Sequence, residues 1–175
     1  MKRLPALIVV LSATVLASPD VRAQESKAPP PEMNVFRKMV GAWQSEATSE
    51  VAEWTSEETH TKGTSKNDLI LDGHFLLSRN FDSQGKLSDI HLFTYDKERQ
   101  AYRQWFFNSN GATLESTGKW DEASSTLTLT NETRGITGVF STHFVDKDTL
   151  EWSVVSKDQQ GKVYLDLHGE TTRQK

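Results

Sequence analysis

The sequence predicts an all-β protein: an antiparallel meander barrel of about ten strands, with a short N-terminal helix capping one end. Apolar residues alternate with polar ones, as in Leu127 and Leu129 among threonines and in Leu150, Trp152 and Val154. Turn residues recur at intervals of about 8 to 12 residues. Such short connections join antiparallel neighbours, and closing the sheet on itself removes its exposed edges.

Residues 1–23 have the pattern of a secretory signal peptide. Lys2 and Arg3 form a basic start, residues 4–17 are an apolar run, and cleavage is expected after Ala23. The run is shorter than the roughly 20 apolar residues that a membrane-spanning helix needs. We therefore expect a secreted or periplasmic protein with no membrane insertion after the signal is cleaved.

The rest of the chain is expected to hold one folded domain. Residues 24–32 are polar and contain consecutive prolines, which predicts a flexible leader, and residues 33–175 are of a size to form a single barrel. The net charge is −4 and the basic residues are scattered, which argues against nucleic acid as a partner. Because the chain has no cysteine, it can fold in an oxidising compartment without pairing errors.

The elements follow in order along the chain. Apolar residues within 33–40 have helical spacing, and Gly41 is expected to end the helix. The pair Gly41 and Trp43 predicts closure of one barrel end. Strands are then predicted over residues 43–54, 58–70, 74–82, 87–96, 101–109, 113–121, 125–132, 136–146, 149–156 and 162–172.

A series of short motifs runs through the first part of this domain. They are Met39 to Trp43, Leu71 to Leu76, Phe93 to Asp96 with Tyr102, Trp105 to Gly111, and Thr117 to Asp121. Their order and spacing resemble the bacterial DUF1579 family of unknown function, itself similar to the calycin-type barrels that include lipocalins and nitrobindins. The resemblance covers most of residues 36–122. It implies a barrel fold, with Arg37 or Arg173 stacked on the Trp43 indole as in other calycin barrels, and leaves the activity open.

A barrel of about ten strands is wider than its own side chains readily fill, so we expect an interior cavity. Arg79 and Arg103 stand on apolar strand faces, and if those faces point inward, two guanidinium groups lie in an aromatic cavity. They would hold the acidic head of a small ligand, or pair with Asp89 or Glu115 of the protein itself. The candidate ligand-binding residues are therefore Arg79, Arg103, Phe75, Trp105 and Phe107.

The five histidines bear on other kinds of site. None are spaced as a local metal clip, so no metal site is expected. The likeness to nitrobindins, which bind haem through a histidine late in the barrel, implies haem as an alternative, with His168 or His143 as axial ligand. Against it, this chain lacks the further glycines that follow the tryptophan in nitrobindins. No other cofactor is expected.

Catalysis has less support in the sequence than binding. Asp89 and His91 lie side by side on one strand, an arrangement that is more often a hydrogen-bonded pair than a catalytic acid and base. No catalytic residue is therefore assigned. The sequence favours an exported barrel that binds a small apolar or amphipathic molecule. The alternatives are a packed barrel acting as a structural or protein-interaction module and, with less support, an isomerase-like or hydrolytic enzyme.

Overall fold

Residues 28–175, which a computed structural model describes, form a closed barrel of ten antiparallel strands. Each strand pairs with the next along the chain, and the last closes on the first, so the predicted fold class is confirmed. The expected signal peptide lies outside the described residues. The strands are β1 (Gly41–Ser49), β2 (Thr59–Ile70), β3 (Phe75–Asp82), β4 (Leu87–Asp96), β5 (Ala101–Asn108), β6 (Thr113–Asp121), β7 (Thr126–Thr133), β8 (Ile136–Phe144), β9 (Thr149–Asp158) and β10 (Val163–Arg173).

The first strand is shorter than the sequence predicts, because β1 ends at Ser49 and residues 50–58 form a loop. The loop backbone bonds to the start of β10: the amide of Glu50 donates to the Asp166 carbonyl, and the amide of Trp54 donates to the Tyr164 carbonyl. These bonds hold the loop against β10. The other strands begin and end within a few residues of the predicted positions.

A cap covers one end of the barrel. It consists of a 3-10 turn, Pro31–Met33, and the short helix α1, Asn34–Arg37. It begins inside the segment expected to be a flexible leader, because proline at the first helical position costs no hydrogen bond. Phe36 is fully buried, and its ring centroid lies 5.3 Å from that of Phe93 and 5.5 Å from that of Tyr102. The cap is therefore packed against the inner face of the barrel.

Trp43 lies directly beneath this cap. The indole is fully buried and its Nε1–H donates to the Met39 carbonyl at 2.8 Å. Of the two expected stacking partners, Arg173 is the one observed, with its guanidinium carbon 4.0 Å from the indole centroid. It also donates to the Val40 carbonyl. Gly41 has a φ of +127°, which side chains rarely adopt, so the turn from cap to strand favours glycine.

The interior has two unlike halves. At the cap end, most inward side chains are apolar and fully or nearly fully buried, including Leu76, Phe93, Leu127 and Leu129. The opposite end, where the loop 50–58 and the turns 83–86, 109–112, 134–135 and 159–162 lie, is termed the open end. There the inward side chains keep partial solvent exposure, including Asn80, Asp89, His91, Phe106 and Phe140. No helix within residues 28–175 is long and apolar enough to cross a membrane.

Candidate functional site

The structure places the two predicted ligand-binding arginines on the outer surface. Leu76 is a buried inner-face residue of β3, and Tyr102 is one of β5. Since successive side chains of a strand point to opposite faces, Arg79 and Arg103 point outward. The expectation that they project into the interior is therefore wrong. The same correction applies to Phe75, Trp105 and Phe107.

Both arginines are paired with carboxylates of the protein. Arg79 donates to Asp68 on the neighbouring strand, and Arg103 donates to Glu115. Glu115 was one of two protein partners expected from the sequence. The hydrogen bond from Arg103 holds the pKa of this exposed carboxyl below its usual range. The Arg103 guanidinium also lies 4.5 Å from the Trp105 ring centroid, so it contacts both a carboxylate and an aromatic face.

The error has a physical cause. β3 and β5 carry apolar residues on both faces, so alternation alone does not say which face is buried. The outer faces of β3, β4 and β5 align Leu77, Leu92 and Trp105 in one cross-strand row, with Phe107 44% exposed beside it. Packing against the cap decides the orientation, because it requires Tyr102 to face inward.

The inner face carries a chain of hydrogen-bonded side chains, termed the interior polar network: Asn80, Asp89, His91 and Gln104. His91 Nε2 lies 3.0 Å from Asp89 Oδ1, which confirms the expected pairing of these two residues. The Asn80 amide donates to Asp89, and the Gln104 amide meets His91 Nδ1. The adjacent strands β3, β4 and β5 bring these four side chains together.

Aromatic rings surround the network. The His91 ring is stacked on Phe93, with centroids 5.7 Å apart and planes inclined by 13°. The rings of Phe106 and Phe140 lie 5.1 and 6.4 Å away. The His91 and Asp89 side chains remain 17% and 22% exposed, so solvent reaches the network within the barrel. The site is thus polar at its centre and aromatic at its walls.

The electrostatics of the network favour an ionised Asp89. Burial, the largest influence, raises the pKa of its carboxyl, but hydrogen bonds from His91, Asn80 and Ser88 together outweigh burial. The pKa therefore lies below the ordinary 3.8. Both ring nitrogens of His91 have partners, and its contact with Asp89 positions the carboxylate. The arrangement provides oriented hydrogen-bonding groups for recognition of a ligand.

Three other histidines lie on the outside of the barrel. His60, His143 and His168 line a trough of about 710 Å³ that crosses the outer faces of β2, β1, β10, β9 and β8. His168 and His143 both face solvent, so neither side chain points into the interior, where an axial haem ligand would lie. Each of the three lies within 4 Å of a glutamate. Within residues 28–175, no three histidine or carboxylate side chains are grouped to hold a metal ion.

Inward-facing residues also border the trough, namely Ala47, Thr61, Trp152 and Gly169. A Cβ built on Gly169 would lie 2.4 Å from the Glu46 carbonyl and 2.8 Å from the Trp152 ring, so the strands approach too closely here for a side chain. The residues that line the trough include none of the interior polar network.

Two members of the interior network were missed by sequence reasoning. Asn80 and Gln104 share parity with Leu76 and Tyr102, the residues that pack inward. The sequence does contain one signal, a polar residue between two aromatic residues on the same face of a strand: Gln104 shares its face of β5 with Tyr102 and Phe106. That signal gains meaning only once the inward face of the strand is known.

The fold and site define a class of protein: a small closed antiparallel barrel, capped at one end, with a polar and partly exposed interior toward the other. The family profile of DUF1579, described as a protein of unknown function, matches residues 28–173. The chain therefore belongs to the DUF1579 family, which confirms the resemblance seen in its motifs. Comparison with curated protein sequences finds no match.

Solved structures share the fold at low sequence identity. An S-type phycobiliprotein lyase, CPES, from Guillardia theta superposes with a TM-score of 0.54 at 15% identity, covering 82% of this chain and 93% of that one. Rv2717c from M. tuberculosis gives 0.59 at 11%, covering 84% and 99%. A DUF3598 protein of unknown function from Nostoc punctiforme gives 0.50 at 11%, covering 79% and 48%. At these identities the likeness shows the fold alone.

Proposed function

We propose that this protein is an exported barrel that binds a small amphipathic molecule through its open end. One observation carries the proposal: a hydrogen-bonded polar network lies on the inner face of the barrel, partly exposed and walled by aromatic rings. Buried polar groups contribute less to stability than apolar packing, so a network at this position favours recognition. The structural similarity to a phycobiliprotein lyase supports a role in handling a small molecule.

The network also defines the ligand chemistry. Because Arg79 and Arg103 lie on the outer surface, the interior does not offer either guanidinium to an acidic head group. It offers the Asp89 carboxylate and the amides of Asn80 and Gln104, which suit a head group that both donates and accepts hydrogen bonds. The ligand's apolar part would lie against Phe106 and Phe140.

Native mass spectrometry of the full chain, purified from its own host, tests this function. We expect a copurifying small molecule that is released on denaturation. Adding back the released molecule should raise the melting temperature of the stripped protein, and Asp89→Asn should reduce that rise. Asp68→Asn, on the outer surface, is the matched control and should leave the rise unchanged.

The same experiment separates the alternatives. A packed barrel that acts as a structural or protein-interaction module has no bound small molecule, and Asp89→Asn then changes only the unfolding free energy. Absence of a bound mass, together with no thermal shift from neutral amphiphiles, contradicts ligand binding. The mass of the purified chain also tests export, since cleavage after Ala23 requires a protein that begins at Gln24.

A further inference from the structure

A second pocket lies at the cap end of the barrel, away from the interior polar network. Its volume is about 290 Å³, and it lies between the cap and those ends of β4, β5 and β6 that are at the cap end of the barrel. It contains a carboxylate and three aromatic rings. Its lining residues are Glu32, Tyr95, Gln100, Tyr102, Lys119 and Trp120.

The carboxylate of Glu32 has an unmet hydrogen-bonding capacity. Its Oε2 atom is buried and accepts no hydrogen bond from any residue within 28–175. The backbone here is held in place, because the Tyr102 hydroxyl donates to the Glu32 carbonyl at 3.2 Å. A buried carboxylate oxygen is costly without a donor, so a ligand that brings an N–H group would stabilise this arrangement.

The aromatic rings suit a cation. The ring centroids of Tyr95 and Tyr102 are 5.1 Å apart in an edge-to-face contact. The Trp120 indole is fixed by an edge-to-face contact with Phe144 at 5.2 Å. It already attracts one ammonium group, since Lys38 Nζ lies 5.2 Å from its centroid. Aromatic faces attract ammonium groups through the negative potential above the ring.

The charges around the pocket point the same way. Burial is the largest influence on Tyr102 and, with the nearby Glu32, Tyr95 and Glu122, raises its pKa to about 12. The acidic neighbours make the potential at this ring negative, which stabilises a cation. Lys119 also lines the pocket, but its side chain is exposed and can extend into solvent.

We propose that this pocket binds the ammonium group of a small primary amine. The Glu32 carboxylate, which lines the pocket, accepts a hydrogen bond from the ammonium, and the rings of Tyr95 and Trp120 contact its charge. A primary amine fits better than a quaternary one, because only an N–H group can donate to the carboxylate. The pocket is separate from the interior polar network, so the test of amine binding does not depend on whether the proposed interior ligand exists.

Titration of the full chain with n-propylammonium, followed by proton–nitrogen correlation NMR, tests the proposal. The Trp120 indole and the Gln100 amide should shift with a Kd of roughly millimolar, as expected for so few atoms. The Trp54 indole, at the open end, should stay unshifted. Tetramethylammonium and the neutral n-propanol should each bind at least about tenfold more weakly, because they lack the N–H donor or the charge.

Variants identify the carboxylate. Glu32→Gln should weaken n-propylammonium binding at least about tenfold, the effect of losing one charge-assisted hydrogen bond. Glu57→Gln, in the exposed loop at the open end, is the matched control and should leave the Kd unchanged. If Glu32→Gln disturbs the cap, Trp120→Leu gives a second test, read at the Gln100 amide, and should weaken binding at least about fivefold.

Three results would overturn the assignment. They are the absence of a saturable shift with n-propylammonium, n-propanol binding as tightly as the amine, and an unchanged Kd in a folded Glu32→Gln or Trp120→Leu protein. The first result removes the site, the second shows a merely apolar cleft, and the third shows that the named groups do not hold the cation.

Discussion

Replacing Trp43 by alanine tests whether the cap end holds the barrel together. The indole is fully buried, so its deletion removes a large apolar contact area and leaves a cavity, at a cost of about 3 to 5 kcal/mol. The ring also supports the Arg173 guanidinium at 4.0 Å and donates to the Met39 carbonyl. The carbonyl keeps a second donor, Asn67 Nδ2, so it is not left unpaired. We therefore expect a loss near the upper end, about 5 kcal/mol.

Urea denaturation at 25 °C, followed by circular dichroism, measures this loss. Trp54→Ala is the matched control, because Trp54 is 60% exposed and its deletion should cost less than about 1 kcal/mol. Domains of this kind have only about 5 to 15 kcal/mol of stability, so Trp43→Ala could leave little folded protein. Trp43→Phe then provides a measurable step, since it keeps a buried ring but loses the N–H donor, at about 1 to 2 kcal/mol. A Trp43→Ala protein as stable as the Trp54→Ala control would refute the reasoning.

Four further outcomes follow from the structure. Gly41→Ala should lower the unfolding free energy, measured by urea denaturation, by about 3 kcal/mol, because φ is +127° and the new Cβ would meet Arg173. Gly85→Ala, which has open space around it, should lower it by about 1 kcal/mol. The pKa of Asp89 in the folded protein lies below its ordinary value of 3.8, so its ionised carboxylate stabilises the fold above that pH. This stabilisation is lost as the pH falls through the pKa of the folded state. The Asp89→Asn variant should therefore lose less stability on acidification than the wild type. The pKa of Tyr102 is raised, so one tyrosine should titrate near pH 12 by ultraviolet absorbance, with stability falling as pH rises from 10 toward that value. Gln104→Leu should lower the unfolding free energy by about 1 to 3 kcal/mol, because His91 Nδ1 loses its hydrogen-bonding partner, and should weaken binding of the proposed interior ligand in the thermal-shift assay.

The strands were predictable because their signals are local. Strand β4 runs over residues 87–96, as the sequence predicts, since the Ser83–Lys86 turn and the Asp96–Arg99 turn bracket it. Burial also follows alternation where one face is clearly apolar: Leu127 and Leu129 of β7 are both fully buried. Turn chemistry and parity need no knowledge of the rest of the fold.

The inward face of β3 and β5 was not predictable in the same way. Phe75, Leu77 and Phe81 make one face of β3 apolar, yet Leu76 on the other face packs inward. Which face of these strands points inward depends on the cap, which lies far away in sequence and packs against Tyr102. The cap-end pocket has the same origin, because it joins Glu32 from the cap to aromatic residues of β4, β5 and β6. Nonlocal packing of this kind leaves no short-range pattern in the sequence.

The two halves of the barrel differ in what their inward side chains contribute. Apolar residues fill the cap end around Trp43 and Phe36, and substitutions there should change the free energy of unfolding. Nearer the open end, the barrel keeps polar side chains at inward positions, with Gln104 and Ser116 each only 4% exposed. Apolar side chains of similar volume would stabilise a packed interior at least as well. A chain selected only to fill its barrel therefore has no use for the interior polar network, and this contrast is the physical ground for the proposal that this half of the molecule recognises a ligand.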